Sequence, residues 1–309
     1  MIDTILLQLN NKHFDIDKMH QTFTDKLAIQ HLTNYKQGYQ GTSLTATHKN
    51  FKFFLNNTSL KAAGSITKLG NGNNPINASH EAIRSALDHL QDILDIPLRE
   101  ANIKRLDVGY NIALDNPVRD YLRLLIPPSS LTVFTVGDQT KEFRNRLNNL
   151  TICFYNKIAE AFKQGKVPAV YQKQNILRYE VRLKTPTLNK LGFIDLRYVD
   201  LYDENIYKQL VKVWYDQYLS VPKIVDPQPK KIAVSSVTAF RDSLDQFAIH
   251  LMGGYDYIIS EIKSTPTSKY KTRSDILKLV KKLRVIEGLS PILKEDLDSK
   301  IYSIYQMNM

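Results

Sequence analysis

The stretch ILRYEVRLK at 176–184 decides how this chain is read. Apolar and polar residues alternate with period two, the pattern of a half-buried β-strand. Leu177, Tyr179, Val181 and Leu183 share one face, and Arg178, Glu180, Arg182 and Lys184 share the other. IKRLDVGYN at 103–111 repeats the pattern, with Leu106, Val108, Tyr110 and Ile112 opposite Arg105, Asp107 and Asn111. In CFYNK at 153–157, Ile152 and Phe154 point one way while Tyr155 and Lys157 point the other. Placed in one sheet, these strands gather two carboxylates, a phenol and several cations on its open face. Such a set suits metal-assisted chemistry on a phosphodiester.

Around these strands the chain alternates strand and helix signals. MIDTILLQLN opens it with a strand over 2–9, and further strands are expected near 41–47, 51–55 and 131–136. A turn-rich segment at 64–75 carries Lys68, Asn71, Asn73 and Asn74 among its glycines, positions suited to phosphate contacts or to simple chain reversal. A helix follows the cap candidates Asn77 and Ser79, with Ile83, Ala86, Leu87, Leu90, Ile93 and Leu94 as one stripe and Pro97 beyond its end. A short helix is expected from Pro117 to Ile126, and a basic loop with Lys141, Arg144 and Arg146 before the Tyr155 strand. A helix through 159–163 then leads to the Glu180 strand. This order reads as an α+β fold, a central antiparallel sheet with helices on one face. Two related RRM-like halves are compatible with it, although no sequence repeat is visible.

From about Asn205 onward the chain turns helical, with Ile206, Leu210, Val213, Trp214 and Tyr218 at helical spacing. The expected division is a domain over 1–200 and a mainly helical region over 201–309, a DNA-binding or accessory part. VPKIVDPQPKK at 221–231 is the linker candidate, and Ser274 caps a helix bearing Lys278, Lys281, Lys282 and Arg284.

The 309 residues carry a formal charge of +11 and a pI near 9.4. Both favour a polyanionic partner, nucleic acid first. A single cysteine, Cys153, excludes an internal disulfide and argues against a cysteine-based zinc site; its apolar flanks suggest a packed thiol. The opening segment lacks the pattern of a signal peptide, and no apolar run approaches the roughly 18 residues of a membrane span. A cytoplasmic location in a bacterial host, with no membrane partner, is the expectation.

RLD at 105–107, FYNK at 154–157 and LRYEVRLK at 177–184 resemble the gene II/gene X replication initiators of filamentous phages and related plasmids. The same order is similar to that of rolling-circle initiators from some Gram-positive plasmids. The opening MIDTI and the segment GSITKLGNGNN at 64–74 also look like that phage family. The resemblance covers roughly residues 1–200.

It implies a metal-dependent enzyme that nicks and rejoins DNA at a replication origin. The tyrosine becomes linked to the 5′ phosphate and leaves a 3′ OH primer. The family's tyrosine lies in an aromatic-Tyr-x-Lys motif, which implies Tyr155 as nucleophile; Lys157, on the same strand face, would assist it. Asp107 and Glu180 are implied as ligands of Mg²⁺ or Mn²⁺, with Arg105, Arg178, Arg182, Lys68 and Asn73 as DNA contacts. Origin DNA, double- and single-stranded, is then the partner, together with host helicase and polymerase. A phenol, with its pKa near 10, needs such help at neutral pH. Larger relatives of this nicking superfamily use a His-x-His pair, and the seven histidines here include none. Asn111 stands where plasmid initiators continue with a second acid.

Each candidate has a plainer reading. Glu180 between Arg178 and Arg182, and Asp107 beside Arg105, fit surface ion pairs, and Tyr171 is a second candidate nucleophile among 17 tyrosines. A non-catalytic origin binder or repressor would share the charge, but gives no reason to align Asp107, Tyr155, Lys157 and Glu180.

Overall fold

The computed structural model describes residues 1–26, 28–34, 42–71, 77–94, 98–137, 139–163, 174–223 and 291–309. Its strands are β1 (Ile2–Asn10), β2 (Ala28–Asn34), β3 (Thr42–His48), β4 (Phe51–Leu55), β5 (Ser59–Ser65), β6 (Asn102–Leu114), β7 (Thr132–Gly137), β8 (Thr140–Arg144), β9 (Leu150–Asn156) and β10 (Asn175–Lys184). They form one ten-stranded sheet in the order β2-β3-β4-β5-β1-β6-β10-β9-β8-β7. Every pairing is antiparallel.

The two halves share one topology. Helix α1 (Ile16–Lys26) follows β1, and α4 (Val118–Leu124) follows β6. A four-strand meander comes next in each half, and its last strand returns beside the first: β5 beside β1, β10 beside β6. Short helices α2 (Ile66–Asn71), α5 (Lys157–Lys163) and α6 (Thr185–Lys190) leave the ends of β5, β9 and β10. The halves meet where β1 and β6 pair at the centre. Sequence shows no repeat because pairing order depends on alternation and turns, which very different residues satisfy.

The core face confirms the alternation read from sequence. Tyr179, Leu177, Val181, Leu183, Ile152, Phe154, Leu106 and Val108 are all buried. Helix α3 (His80–Leu94) buries Ile83, Ala86, Leu87, Leu90 and Leu94 as one stripe. Helix α7 (Glu204–Ser220) lays Trp214 against Tyr179 with ring centres 4.8 Å apart. The Tyr179 hydroxyl donates to the Trp214 carbonyl at 2.8 Å, and Phe154 stacks on the other side at 4.6 Å. The last helix, α8 (Pro291–Met307), buries Leu297, Ile301 and Ile304 in the same core. Among the described residues no helix is long and apolar enough to cross a membrane.

Three strands were not expected. β2 and β5 lack a long apolar alternation, and β5 relies on small residues. A Cβ on Gly64 would lie 2.5 Å from the Phe51 ring, so packing there requires glycine. The segment read as a basic loop before Tyr155 holds β8, TKEFR. Lys141 turns into the core, where its ammonium donates to the Leu122 and Leu125 carbonyls at 3.0 and 2.7 Å. These are carbonyls at the end of α4, so a buried lysine is satisfied by a helix terminus. The linker candidate beyond 223 and the basic helix at 274–284 lie outside the described residues.

Candidate active site

Strands β6, β10 and β9 are consecutive neighbours, and their register fixes the open face. Arg182 pairs with Asp107, Glu180 with Gly109 and Arg178 with Asn111 across β6. On the other side Arg178 pairs with Tyr155, Glu180 with Cys153 and Arg182 with Thr151. Tyr155, Glu180 and Asp107 therefore share one face of three adjacent strands, and directly opposed residues there stand about 5 Å apart at Cβ.

A third carboxylate joins them that sequence did not assign. Between Ile2↔Val108 and Ile5↔Leu106 the β1–β6 register shifts by one residue, a β-bulge. A bulge re-aims a side chain that strict alternation would send to the core. Asp3 is the residue re-aimed, and its Oδ2 lies 2.5 Å from the Arg178 guanidinium. Its Oδ1 accepts from Ser65 Oγ at 2.5 Å and Thr67 Oγ1 at 2.7 Å. The available signal was a single charged residue in the opening strand IDTILLQLN.

Guanidiniums hold every carboxylate of this face. Arg105 binds Asp107 through two hydrogen bonds of 2.7 and 2.5 Å. Arg182 lies 2.7 Å from Glu180 and 4.0 Å from Asp107, and its other edge is 3.7 Å from Glu142. Glu142 also pairs with Arg144, whose guanidinium lies over the Phe134 ring at 3.4 Å from its centre. Asp3, Asp107, Glu142 and Glu180 are thus balanced by Arg105, Arg144, Arg178 and Arg182, and the face is close to neutral.

The electrostatics follow from burial. Asp107 is 1% exposed, and that burial, with the Glu180 charge nearby, pushes its carboxyl up to about 7 against the pull of Arg105. Burial would also raise Asp3, but Arg178 and the two hydroxyls hold it below the usual carboxylate range. Burial and then Glu180 push the Tyr155 phenol well above its ordinary value, while Arg178 pulls it down. Cys153 is buried, and desolvation drives its thiol far up, as expected of a packed thiol.

The other expected residues are placed as follows. Lys157 does not lie on the strand: it opens helix α5, because Asn156 accepts from the Ile158 and Ala159 amides at 3.0 Å and starts the helix. Its ammonium pairs with Glu160 at 2.6 Å and lies 5.5 Å from the Tyr155 ring centre. Arg178, expected to contact DNA, is 2% exposed. The Arg105 and Arg182 side chains are 35% and 29% exposed. Lys68 sits in α2, half-buried. Asn73, Asn74 and Tyr171 lie outside the described residues.

Among the described residues no three histidines, cysteines or acids form a ready group of metal ligands. Two carboxylates suffice for a hard divalent cation that keeps several waters and shares substrate phosphate oxygens. Asp107 and Glu180 fit that donor set, and the Arg182 guanidinium now stands between them.

The family model for the N-terminal part of the replication-associated gene II protein matches residues 1–205. The chain belongs to the gene II-type family of replication initiators. No match was found among curated proteins. The initiator match ends in the first turn of α7, so Trp214 and all of α8 lie beyond it and still complete its core. Within the matched region the initiator carries Asp3, Asp107, Tyr155 and Glu180 together.

Proposed function

We propose that this replication initiator starts rolling-circle synthesis by nicking and rejoining origin DNA through Tyr155. One observation carries the reading: Tyr155, Asp107 and Glu180 project from one face of three adjacent strands. The phenol oxygen attacks the scissile phosphorus, the bond to the 3′ oxygen breaks, and the phenol proton leaves as the 3′ oxygen gains one. The product is a 5′ phosphotyrosine and a 3′ OH that a host polymerase extends, while a host helicase opens the duplex. Because the phosphodiester energy is kept in the adduct, rejoining needs no ATP.

Mg²⁺ or Mn²⁺ on Asp107 and Glu180 would polarise the phosphate and offset the carboxylate charge that keeps Tyr155 protonated. Arg105 and Arg182, at the rim, would bind DNA phosphates when released from their acids. At the outer edge Phe134, 60% exposed under Arg144, offers a flat surface for an unpaired base. These events belong in the bacterial host cytoplasm, where origin DNA resides.

The alternative, an origin binder without chemistry, has one observation in its favour: each carboxylate of the face already has a guanidinium partner. Incubating end-labelled intergenic DNA of the replicating element with the protein and Mg²⁺ separates the two. The nickase shortens one strand and carries label into the protein band on a denaturing gel, and Tyr155→Phe does neither. A wild-type protein that only shifts the DNA, under native conditions, overturns the proposal.

A further inference from the structure

Arg178 is the most buried cation of the open face. Its side chain is 3% exposed, and it stands directly opposite Tyr155 across β9 and β10. Taking a guanidinium out of water is costly unless its donors are satisfied, and apolar residues of similar volume often serve stability as well. Three features nevertheless commit the fold to holding it there.

The first is a set of acceptors that fixes its plane. One terminal nitrogen donates to Asp3 at 2.5 Å, and the other donates to Asn111 Oδ1 at 3.3 Å. Asp3 is itself locked by Ser65 and Thr67, whose hydroxyls are 2.8 Å apart. The second is space: a Cβ on Gly109 would lie 2.9 Å from the terminal nitrogen and 3.1 Å from the central carbon of Arg178. Glycine at 109 therefore lets the guanidinium lie flat across β6. The third is a donor that makes no hydrogen bond. Arg178 Nε is buried without a hydrogen-bond partner, and its nearest acid oxygen, on Glu180, is 3.6 Å away. A buried donor left unmade carries a desolvation penalty, and the charge behind it favours an anion formed nearby.

We infer that Arg178 is the fixed cation that meets the negative charge formed between the Tyr155 oxygen and the scissile phosphate, with Asp3, Ser65, Thr67 and Gly109 as its positioning residues. The inference rests on Tyr155 as the nucleophile. Arg178 stays protonated throughout: the O–P bond to tyrosine forms, the P–O3′ bond breaks, and no proton passes through the guanidinium. Because the guanidinium is held before substrate arrives, little reorganisation accompanies the step. The charged groups facing Tyr155 are Arg178 and Glu180 on β10, Lys157 and Glu160 on α5, and Asp3 on β1.

The test compares Arg178→Lys, Asp3→Asn and Gly109→Ala with the full-length wild type. Single-turnover cleavage, affinity for the same oligonucleotide, thermal melting and the pH–rate profile are measured for each. Arg178→Lys keeps the charge but loses the planar fork, and its cleavage rate is expected to fall about 100-fold or more with affinity within about twofold. Asp3→Asn, acting through Arg178, is expected to slow cleavage by about 10-fold or more. In Arg178→Lys the rate should reach its plateau at higher pH than in wild type, because the phenolate has lost its fixed cation; Asp3→Asn is read by its rate alone, because the Asp3 carboxylate itself raises the phenol. Gly109→Ala keeps every charge and decides the matter if either other variant melts early: it should slow cleavage with the same displacement of the profile. Rates that fall only in step with folded fraction or affinity, with an unmoved pH profile, overturn the inference. A Tyr155→Phe variant that still cleaves overturns the parent proposal instead, whatever the Arg178 variants do.

Discussion

Lys157 places its ammonium 2.6 Å from the Glu160 carboxylate, one helical turn further on, and not on the Tyr155 oxygen. Burial lowers the lysine pKa, and Glu160 opposes that by holding its proton. Lys157 can assist the phenol with its remaining donors, or by turning away from this partner. We expect Lys157→Gln to slow strand cleavage by about 10- to 100-fold, short of the loss caused by Tyr155→Phe. Single-turnover kinetics at saturating DNA check this, and an unchanged rate would leave Lys157 as a structural helix-start residue.

The metal prediction concerns Asp107 and Glu180. Asp107→Asn or Glu180→Gln should abolish Mg²⁺-dependent cleavage while leaving DNA affinity within about threefold, since phosphate contacts by Lys and Arg dominate affinity. Wild-type cleavage by either variant would make that residue an ion-pair partner only.

Proton linkage follows from the same pair. Asp107 titrates near 7 in the fold against an ordinary carboxylate value of 3.8. A raised folded pKa means that its contribution to stability is complete below about 4 and is lost as pH rises through about 7. The metal-free wild type should therefore lose melting temperature between about pH 4 and pH 7 more steeply than Asp107→Asn. Metal binding at pH 6 should release about one proton, measurable by calorimetry in buffers of different ionisation enthalpy. Parallel melting profiles for the two proteins would overturn the raised Asp107 carboxyl, and no proton release on metal binding would count against Asp107 as a ligand.

Phe134 supplies a prediction at the sheet's edge. Phe134→Ala should weaken binding to single-stranded origin DNA about 10-fold, and Phe134→Trp should restore it, because stacking tolerates any flat ring. Equal affinities measured by fluorescence anisotropy would remove the edge from the DNA path.

Helix α8 is tested by stability. Leu297 is fully buried in the common core, so Leu297→Ala should cost about 2–5 kcal/mol of unfolding free energy. Denaturant unfolding would reveal it; a loss below about 0.5 kcal/mol would mean that α8 docks without contributing to the folding unit.

Much of the site was legible because strand alternation is a local property. Leu177, Tyr179, Val181 and Leu183 went to the core and Arg178, Glu180 and Arg182 to the open face, as a period of two requires. Asp107 and Tyr155 were placed on that face by the same rule. The rule failed where a local irregularity intervenes: a bulge in β1 re-aims Asp3, and Asn156 ends β9 so that Lys157 begins a helix. β8 escaped notice because the core position of Lys141 is made tolerable by carbonyls of α4, 16 and 19 residues earlier in the chain.

Local pattern along the chain is enough to show which residues alternate, which stripe of α3 is apolar, and the chemical types available on the open face. These depend on near neighbours along the chain. Tertiary structure alone decided that β1 and β6 pair at the centre of ten strands, and that α8 closes the core from 291–307. It alone set Asp3, Gly109 and Asn111 around Arg178. Those outcomes depend on cross-strand register and on space between side chains remote in sequence, which no local pattern encodes.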